Sequence, residues 1–281
     1  MRVSRWHGGK WILAPWIISH FPPHRVYVEP VGGAASVLLR KPRSYAEVYN
    51  DLDGDVVNLF RVLRDAASAA RLIELLRLTP FARQEFEMAY APTKDQIERA
   101  YKLVVRSFMG FGSSEHVGAG GGRLVTGFRS NSNRPGTTPA HEWMSFPAHL
   151  QAIIERLQGV VIECRDAMEV CRAHDGPETL HYVDPPYLPE TRSRGKLSCT
   201  KHRYNHELDK ADHGRLLHGL KALSGAVVIS GYPSPLYDDT LLPQWVRVER
   251  AALADGARPR REVLWVNPKA VRDGERSLFG G

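Results

Sequence analysis

The sequence has only three cysteines among its 281 residues, and none of them forms a C-x-x-C pair. Cys164, Cys171 and Cys199 therefore offer neither a redox motif nor an evident disulfide framework. The segment HELDK at 206–210 lacks the second histidine of the zinc-protease motif. We expect no metal site and no catalytic cysteine, and we interpret the thiols as buried or incidental ones in a reducing compartment.

Long hydrophobic runs are also missing, because no apolar stretch approaches the roughly 18 residues that can span a bilayer. Residues 1–24 contain His7, Lys10, Pro15 and His20, and they have neither a clean apolar core nor a small-residue cleavage site. We interpret this segment as part of the fold. The sequence thus predicts a cytoplasmic protein with no membrane contact.

Charge of one sign is in excess. The chain has 38 lysines and arginines against 31 acidic residues, which gives a net charge of +7 and a pI near 9.4. A polyanionic partner suits this balance, and nucleic acid is the first candidate. Charge alone is a weak signal, because many basic proteins bind no nucleic acid.

Short apolar runs rich in Val, Ile and Tyr recur along the chain, and several end in an acidic residue or in Gly or Pro. Their apolarity is continuous rather than alternating, which is typical of strands buried on both faces of a parallel sheet. Helical patterns lie between some of them, and this alternation predicts an open α/β sheet. The seven runs are residues 25–30, 46–51, 160–166, 179–186, 226–232, 245–250 and 262–267.

Helices are predicted over DGDVVNLFRVLRDA at 53–66 and over NHELDKADHGRLLHGLKAL, where Asn205 is the candidate N-cap. Between 66 and 158 two further helices are predicted without partner strands, at 66–78 and 93–108, and a segment rich in Gly, Ser and Asn follows them. So long an irregular segment is usually functional or mobile. We predict a catalytic domain at 1–65 and 159–281, with an inserted, mainly helical domain at 66–158 that carries a basic loop.

Acidic residues at the strand ends indicate a ligand site, because open α/β sheets bind ligands at the carboxyl ends of their strands. The loop EPVGGAAS at 29–36 follows the first strand and precedes a predicted helix, and its small residues allow close approach of the backbone. Asp51 could bind ribose hydroxyls, and Asp166 ends a third strand. The loop is not G-x-G-x-x-G, so S-adenosylmethionine fits better than NAD. Each acid alone could equally be a solvated turn or a helix cap.

The most informative motif is Asp184-Pro185-Pro186-Tyr187, which ends the apolar run TLHYV. A transferase acting on an exocyclic amino group must orient a nitrogen whose lone pair is delocalised into the ring. A carboxylate and a rigid backbone carbonyl can each accept one N–H. The two prolines stiffen the chain, and the tyrosine ring can stack on a base.

Four segments in this order resemble the Dam-type DNA adenine-N6 methyltransferases, including phage and prophage members. They are RWHGGKW at 5–11, YVEPVGGAASVLL at 27–39, YNDLDGDVVNLF at 49–60 and the VDPPY motif. The resemblance covers nearly the whole chain. It implies a Rossmann-like methyltransferase fold with a seven-stranded, mostly parallel sheet. It also implies an antiparallel edge strand at REVLWVNP and an inserted target-recognition domain. Relatives often have an aromatic residue where this chain has Val31.

The resemblance also implies roles for individual residues. Trp6 and Lys10 would contact S-adenosylmethionine, and Asp51 would bind its ribose. Asp166 would bind its adenine amino group, and Asp184 lies beside the cofactor as well. Asp184, Pro185, Pro186 and Tyr187 would hold the target adenine. The loop that passes the methionine moiety of the cofactor consists of Glu29, Pro30, Gly32, Gly33 and Ala34.

An amino group in duplex DNA is paired, so enzymes of this type flip the base out and need a grip on flanking phosphates and bases. Three basic segments are candidates for DNA contact: the loop 123–134, the segment 191–204 and RPRR at 258–261. A solvated charged loop is the alternative for each. The candidate residues are Arg123, Arg129, Asn131, Asn133, Arg134, Arg192, Arg194 and Lys196.

These observations predict a site-specific adenine methyltransferase that binds double-stranded DNA, as a monomer or weak dimer in the cytoplasm of a bacterial or phage-infected cell. A cognate restriction enzyme is a further partner that the resemblance leaves open. Adenine in RNA and cytosine N4 in DNA remain as alternative substrates. A non-catalytic nucleic-acid-binding module is a third reading, and an NAD-dependent enzyme is the weakest because the glycine fingerprint is missing.

Overall fold

The structure, a computed structural model, describes residues 10–110, 127–130, 137–191, 208–254 and 258–271. These residues form two compact units. One contains the sheet and comprises Lys10–Gly32, Arg40–Leu52 and the described part of Gly159–Gly281. The other is helical and comprises Gly33–Leu39 and the described part of Asp53–Gln158.

The sheet has seven strands among the described residues. They are β1 (Val26–Glu29), β2 (Ala46–Asn50), β3 (Val160–Glu163), β4 (Thr179–Val183), β5 (Ala226–Gly231), β6 (Val246–Ala254) and β7 (Arg258–Val266). Their order in the sheet is β3-β2-β1-β4-β5-β7-β6. Neighbours from β3 to β5 are parallel, whereas β7 is antiparallel to both β5 and β6.

Each of the seven apolar runs corresponds to one of these strands, so the predicted α/β class and the mostly parallel sheet with an antiparallel edge are confirmed. The strand predicted from REVLWVNP is antiparallel, but it lies second from the edge because β6 pairs along its outer side. Strands β4 and β5 are buried along their whole length, which is why their sequences show no polar alternation.

Four α-helices belong to the described part of the sheet unit. Met168, Leu217 and Tyr237 contribute, from three of these helices, to one apolar core with residues of β4, β5 and β7. On the opposite face of the sheet, Phe21 packs on the rings of Tyr27 and Tyr182. Phe21 follows the first helix of the chain. The helices are α1 (Ala14–Ser19), α7 (Ala167–Ala173), α8 (Lys210–Lys221) and α9 (Pro235–Leu241).

Two local predictions are corrected. Helix α8 begins at Lys210, with Asp209 as N-cap in a reciprocal capping box with Asp212, whereas the candidate cap Asn205 lies outside the described residues. After the glycine pair the structure has turns over 33–40 instead of the predicted helix. Gly33 and Ala35 there have positive φ angles of 48° and 51°, which a right-handed helix excludes.

The helical unit contains five helices among its described residues. Asp55 near the start of the first one forms ion pairs with Arg99 and Arg106 of the fourth, at 2.6 and 3.4 Å. Phe108 packs on Phe146 of the last helix, with ring centroids 4.3 Å apart. The helices are α2 (Gly54–Arg64), α3 (Ala66–Leu78), α4 (Arg83–Met88), α5 (Gln96–Met109) and α6 (Pro139–Leu157).

The helices predicted over 53–66, 66–78 and 93–108 are therefore present as α2, α3 and α5. The assignment of 66–158 as an inserted target-recognition domain stays a prediction, and the helical unit also includes α2. Among the described residues no helix is both long and apolar enough to cross a membrane.

Candidate active site

The topology defines one crevice in the sheet unit. From β1 the chain adds β2 and β3 on one side, and then β4 and β5 on the other. The order of the parallel strands thus reverses between β1 and β4. Ligands of open α/β sheets bind at the carboxyl ends of the strands beside such a reversal. The DPPY motif follows β4 directly and therefore lies at this point.

Asp184 is held at the site through one of its two carboxylate oxygens. Val183 is paired with Ile229, so the parallel register places Asp184 alongside Ser230 of β5. The Ser230 hydroxyl donates a hydrogen bond of 2.9 Å to Oδ1 of Asp184, and the Lys10 ammonium lies 2.9 Å from the same oxygen. Within the described residues Oδ2 of Asp184 has no hydrogen-bond partner, and the side chain is 20 % exposed.

Tyr187 is buried and oriented through its hydroxyl group. The hydroxyl donates a hydrogen bond of 2.7 Å to Oε1 of Glu262 and accepts one from the Lys10 ammonium. Its ring packs on that of Tyr232, with centroids 4.3 Å apart and planes tilted by 50°. Lys10 also lies 4.5 Å from the centroid of the Tyr187 ring, within the range of a cation–π interaction.

Three polar groups beside this cluster have shifted pKa values. Burial raises the pKa of Glu262, and the negative charge of Asp184 adds to this effect while the charge of Lys10 opposes it. Burial also raises the pKa of Tyr182, whose hydroxyl pairs with Ser230 at 2.9 Å. The same cause raises the pKa of Tyr232. Both tyrosines therefore stay neutral and can act as hydrogen-bond donors at neutral pH.

Asn50 fastens the ends of the three strands on the other side of the reversal. Its side-chain amide donates to the carbonyl of Pro30 after β1, at 2.8 Å, and to that of Arg165 after β3, at 3.0 Å. Its side-chain oxygen accepts a hydrogen bond of 2.9 Å from the Arg165 backbone N–H. The chain segments that carry Asp51 and Asp166 are thus tied to the loop after β1.

The glycine loop has a packing role that the sequence reading did not include. A Cβ atom at Gly32 would lie 2.1 Å from the ring of Tyr49, so only glycine fits this position. The Gly32 N–H donates to the Asn50 carbonyl at 2.9 Å. Glu29 at the end of β1 is buried, and the Tyr27 hydroxyl donates to it at 2.7 Å. Ala34 is buried as well.

The predicted cofactor acids differ in their surroundings. Asp51 directly follows β2 and is half-buried. Asp166 is exposed and caps helix α7, where its Oδ1 accepts hydrogen bonds from the N–H groups of Met168 and Glu169. The helix-cap reading of Asp166 therefore holds for one oxygen, and binding of a nucleoside by this residue stays a prediction. Trp6 lies outside the described residues.

Of the eight residues named individually as candidates for DNA contact, Arg129 is the one that lies in the described part of the chain, and it is buried. The candidate segment RPRR at 258–261 is described as the start of β7. Its guanidinium donates to the Phe108 carbonyl at 3.0 Å and pairs with Glu142 at 3.5 Å. These contacts give Arg129 a structural role within the helical unit, and its contact with DNA stays a prediction. The predicted residues outside the described part are Arg123, Asn131, Asn133, Arg134, Arg192, Arg194 and Lys196.

Sequence reasoning missed Ser230, Glu262 and Asn50. A polar residue inside an otherwise apolar buried strand was the available signal for Ser230 and Glu262, because such a residue must have a buried partner. Asn50 immediately precedes the predicted ribose ligand and carried no signal of its own.

In the described part of the chain, no group of three or more His, Cys, Asp or Glu side chains could hold a metal ion. Burial raises the pKa of the Cys171 thiol to about 12, so this thiol stays protonated. Cys164 is exposed, and Cys199 lies outside the described residues.

The mostly parallel sheet with its antiparallel edge, and the acidic motif at the strand reversal, are consistent with a methyltransferase fold. The chain matches the D12 class N6 adenine-specific DNA methyltransferases over residues 6–244, and it belongs to this family. It is 24 % identical over 274 residues to the DNA adenine methylase of Escherichia coli K12. That alignment covers 92 % of this chain and 91 % of the relative, and the methylase of Escherichia coli O157:H7 matches equally well.

Family membership makes the chain an adenine-specific DNA methyltransferase. It decides between the alternatives that the sequence left open, because the family modifies N6 of adenine in DNA rather than adenine in RNA or cytosine N4. The readings as a non-catalytic binding module or as an NAD-dependent enzyme are set aside on the same ground.

Proposed function

We propose that the chain is a site-specific methyltransferase that transfers the methyl group of S-adenosylmethionine to N6 of a flipped-out adenine in duplex DNA. The observation that carries this proposal is the hydrogen bonding of the Asp184 carboxylate. Its Oδ1 is fixed by Ser230 and Lys10, whereas Oδ2 has no partner among the described residues. A rigid carboxylate with one open acceptor suits an amino group that enters the crevice.

Asp184 and the Pro185 carbonyl each accept one N6 hydrogen in the proposed complex. Two acceptors on one nitrogen draw it toward tetrahedral geometry and direct its lone pair at the incoming methyl group. Ser230 keeps the carboxylate from rotating, and Pro186 stiffens the backbone next to the acceptor carbonyl. The protein contributes proximity and alignment, and the reaction needs no covalent enzyme intermediate.

The donor set around the strand reversal fits S-adenosylmethionine. The carboxylates of Glu29, Asp51, Asp166 and Asp184 lie at or near strand ends, and Lys10 forms an ion pair with Asp184. The loop after β1 has no pyrophosphate fingerprint. Asp51 would bind the ribose, Asp166 the adenine amino group, and the loop 29–34 the methionine moiety. When bound, S-adenosylmethionine supplies an electrophilic methyl group on a positively charged sulfur.

DNA contact is proposed for the two basic segments that precede and follow the catalytic motif in the sequence. Extrusion of a paired adenine costs a few kcal/mol, and contacts with flanking phosphates and bases must offset this cost. Arg123 and Arg134 would contribute from the first basic loop, with Asn131 and Asn133 beside them. Arg192, Arg194 and Lys196 would contribute from the second.

Replacement of the motif carboxylate tests the proposal. We expect Asp184→Ala to lower methyl transfer to duplex DNA by at least about a hundredfold, because the amino group loses its charged acceptor. Transfer of a labelled methyl group gives the rate, and calorimetry shows whether S-adenosylmethionine still binds.

Asp239→Ala is the matched control, since Asp239 is an exposed aspartate on α9 in the same unit. It is expected to keep the wild-type rate. An Asp184→Ala variant that methylates DNA as fast as the wild type would overturn the proposed role. Transfer to RNA in preference to duplex DNA would overturn the proposed substrate.

A further inference from the structure

Glu262 is a carboxylate in a place where a strand normally carries an apolar side chain. It is 3 % exposed and lies in β7 between Arg261 and Val263. Because β7 is antiparallel to β5, the first half of β7 lies at the carboxyl ends of the parallel strands. Val263 is paired with Gly231, the last residue of β5, so the neighbouring Glu262 reaches the crevice.

Two groups of the proposed active site converge on one oxygen of this carboxylate. Oε1 of Glu262 accepts the hydrogen bond from the Tyr187 hydroxyl at 2.7 Å and lies 3.3 Å from the Lys10 ammonium. Lys10 lies closer to Asp184, at 2.9 Å. A single ammonium group is therefore shared by two carboxylates, one from β7 and one from the DPPY motif.

Fold stability is a poor explanation for this arrangement. Burial of a carboxylate and an ammonium has a large desolvation cost, and well-packed apolar residues usually serve stability as well or better. What the arrangement supplies is geometry. The hydrogen bond to Glu262 fixes the position of the Tyr187 hydroxyl, and packing on Tyr232 restricts rotation of the ring about its long axis.

The shared ammonium of Lys10 also affects Asp184 as a hydrogen-bond acceptor. If Asp184 were the only carboxylate beside Lys10, the ion pair between them would satisfy more of its negative charge. The negative charge of Glu262 partly offsets the positive potential that Lys10 produces at Asp184, so the Asp184 carboxylate attracts the amino group of a base more strongly.

We propose that Glu262 is a positioning residue for methyl transfer, which fixes the Tyr187 ring and shares the Lys10 ammonium with Asp184. The inference rests on the proposed function, in which Asp184 and Tyr187 hold the target adenine. Glu262 itself contacts neither the base nor the cofactor, and it acts through its two neighbours.

Glu262→Gln tests the inference, because it keeps the size of the side chain while removing the negative charge that binds the Tyr187 hydroxyl and the Lys10 ammonium. We expect kcat to fall about ten- to a hundredfold, since a small misplacement of reacting groups is costly. KM for S-adenosylmethionine and the affinity for duplex DNA should change less than about threefold. Glu249→Gln on the neighbouring strand β6 is the control, and it should stay within about twofold of the wild type.

A double-mutant comparison shows whether Glu262 acts through Tyr187. The kcat loss in Tyr187→Phe/Glu262→Gln should be smaller than the product of the two single losses, because both changes disturb one contact. Wild-type kcat in Glu262→Gln, or losses that multiply fully, would overturn the inference.

If Glu262→Gln fails to fold, as judged by circular dichroism, Tyr187→Phe alone decides, because it removes the hydrogen bond and leaves the Lys10–Glu262 pair. Unchanged kcat in that variant would overturn the inference. An active Asp184→Ala enzyme instead contradicts the proposed function itself. An inactive Asp184→Ala enzyme together with a fully active Glu262→Gln enzyme contradicts only the role of Glu262.

Discussion

Gly32 illustrates how a single atom decides the local backbone. The loop after β1 passes so close to the Tyr49 ring that even a methyl group at Gly32 would overlap it. Tyr49 is itself fully buried in β2 and has no space to move aside. Packing alone therefore requires glycine at position 32.

Gly32→Ala is expected to lower the free energy of unfolding by about 1–3 kcal/mol, because overpacking displaces the ring or the loop. Urea denaturation followed by fluorescence measures this change. Gly54→Ala is the control, since a Cβ atom there meets nothing within 4 Å and should leave stability unchanged or slightly raised. A Gly32→Ala protein as stable as the wild type would show that the loop can relax freely.

Asp175 connects chain segments at the amino ends of the parallel strands, whereas the active site lies at their carboxyl ends. It lies between α7 and β4 and accepts hydrogen bonds from the Ser224 and Gly225 N–H groups at the start of β5. Burial by itself raises the pKa of Asp175, but the hydrogen bonds from Ser224, Gly225 and His181 outweigh it and lower the pKa from 3.8 to about 2. The folded state therefore favours the ionised carboxylate.

This shift predicts a pH-dependent contribution to stability. Since the folded pKa is below the unfolded one, the contribution is fully present above pH 4 and is lost as the pH falls toward 2. We expect about 1 kcal/mol, after allowance for solvent screening of a partly exposed group. Urea denaturation of the wild type and Asp175→Asn at pH 6 and pH 3 measures it. A stability difference that is equal at the two pH values would contradict the prediction.

The elements themselves were largely predictable, because burial on both faces gives a strand a continuous apolar sequence. Competing local sequence signals explain the two errors, at the start of α8 and after the glycine pair. Asn205 and Asp209 are both good caps, and only Asp209 is followed three residues later by an acid that completes the capping box. The small residues after Gly33 suit a helix equally well in sequence, but the positive φ angle at Ala35 interrupts it.

The site was predictable only as far as motifs reach. Asp184 and Tyr187 could be assigned from four adjacent residues, whereas the hydrogen bond from Tyr187 to Glu262 joins residues 75 positions apart. That contact exists because β7 enters the sheet beside β5, which no local pattern encodes. Ser230 likewise depends on the register between β4 and β5.

At the scale of the whole molecule, the net charge of +7 predicts how DNA binding responds to salt. Each phosphate that a lysine or arginine contacts releases counterions, so about four such contacts weaken binding about a hundredfold between 50 and 200 mM salt. Fluorescence anisotropy with a labelled duplex measures this dependence. Binding of S-adenosylmethionine over the same range is the control and should change little. DNA affinity that is independent of salt would contradict a phosphate-based grip.

The position of β7 between β5 and β6 has a consequence for synthesis. Both neighbours leave the ribosome before β7, and in the described part of the sheet β6 is paired only with β7. A nascent chain that ends after β6 therefore has an unpaired strand, and Lys10 has no Glu262 to contact. The cluster around Asp184 is complete only when a segment from near the start of the chain meets one made more than 250 residues later. The active site is therefore complete only after β7 has paired between β5 and β6.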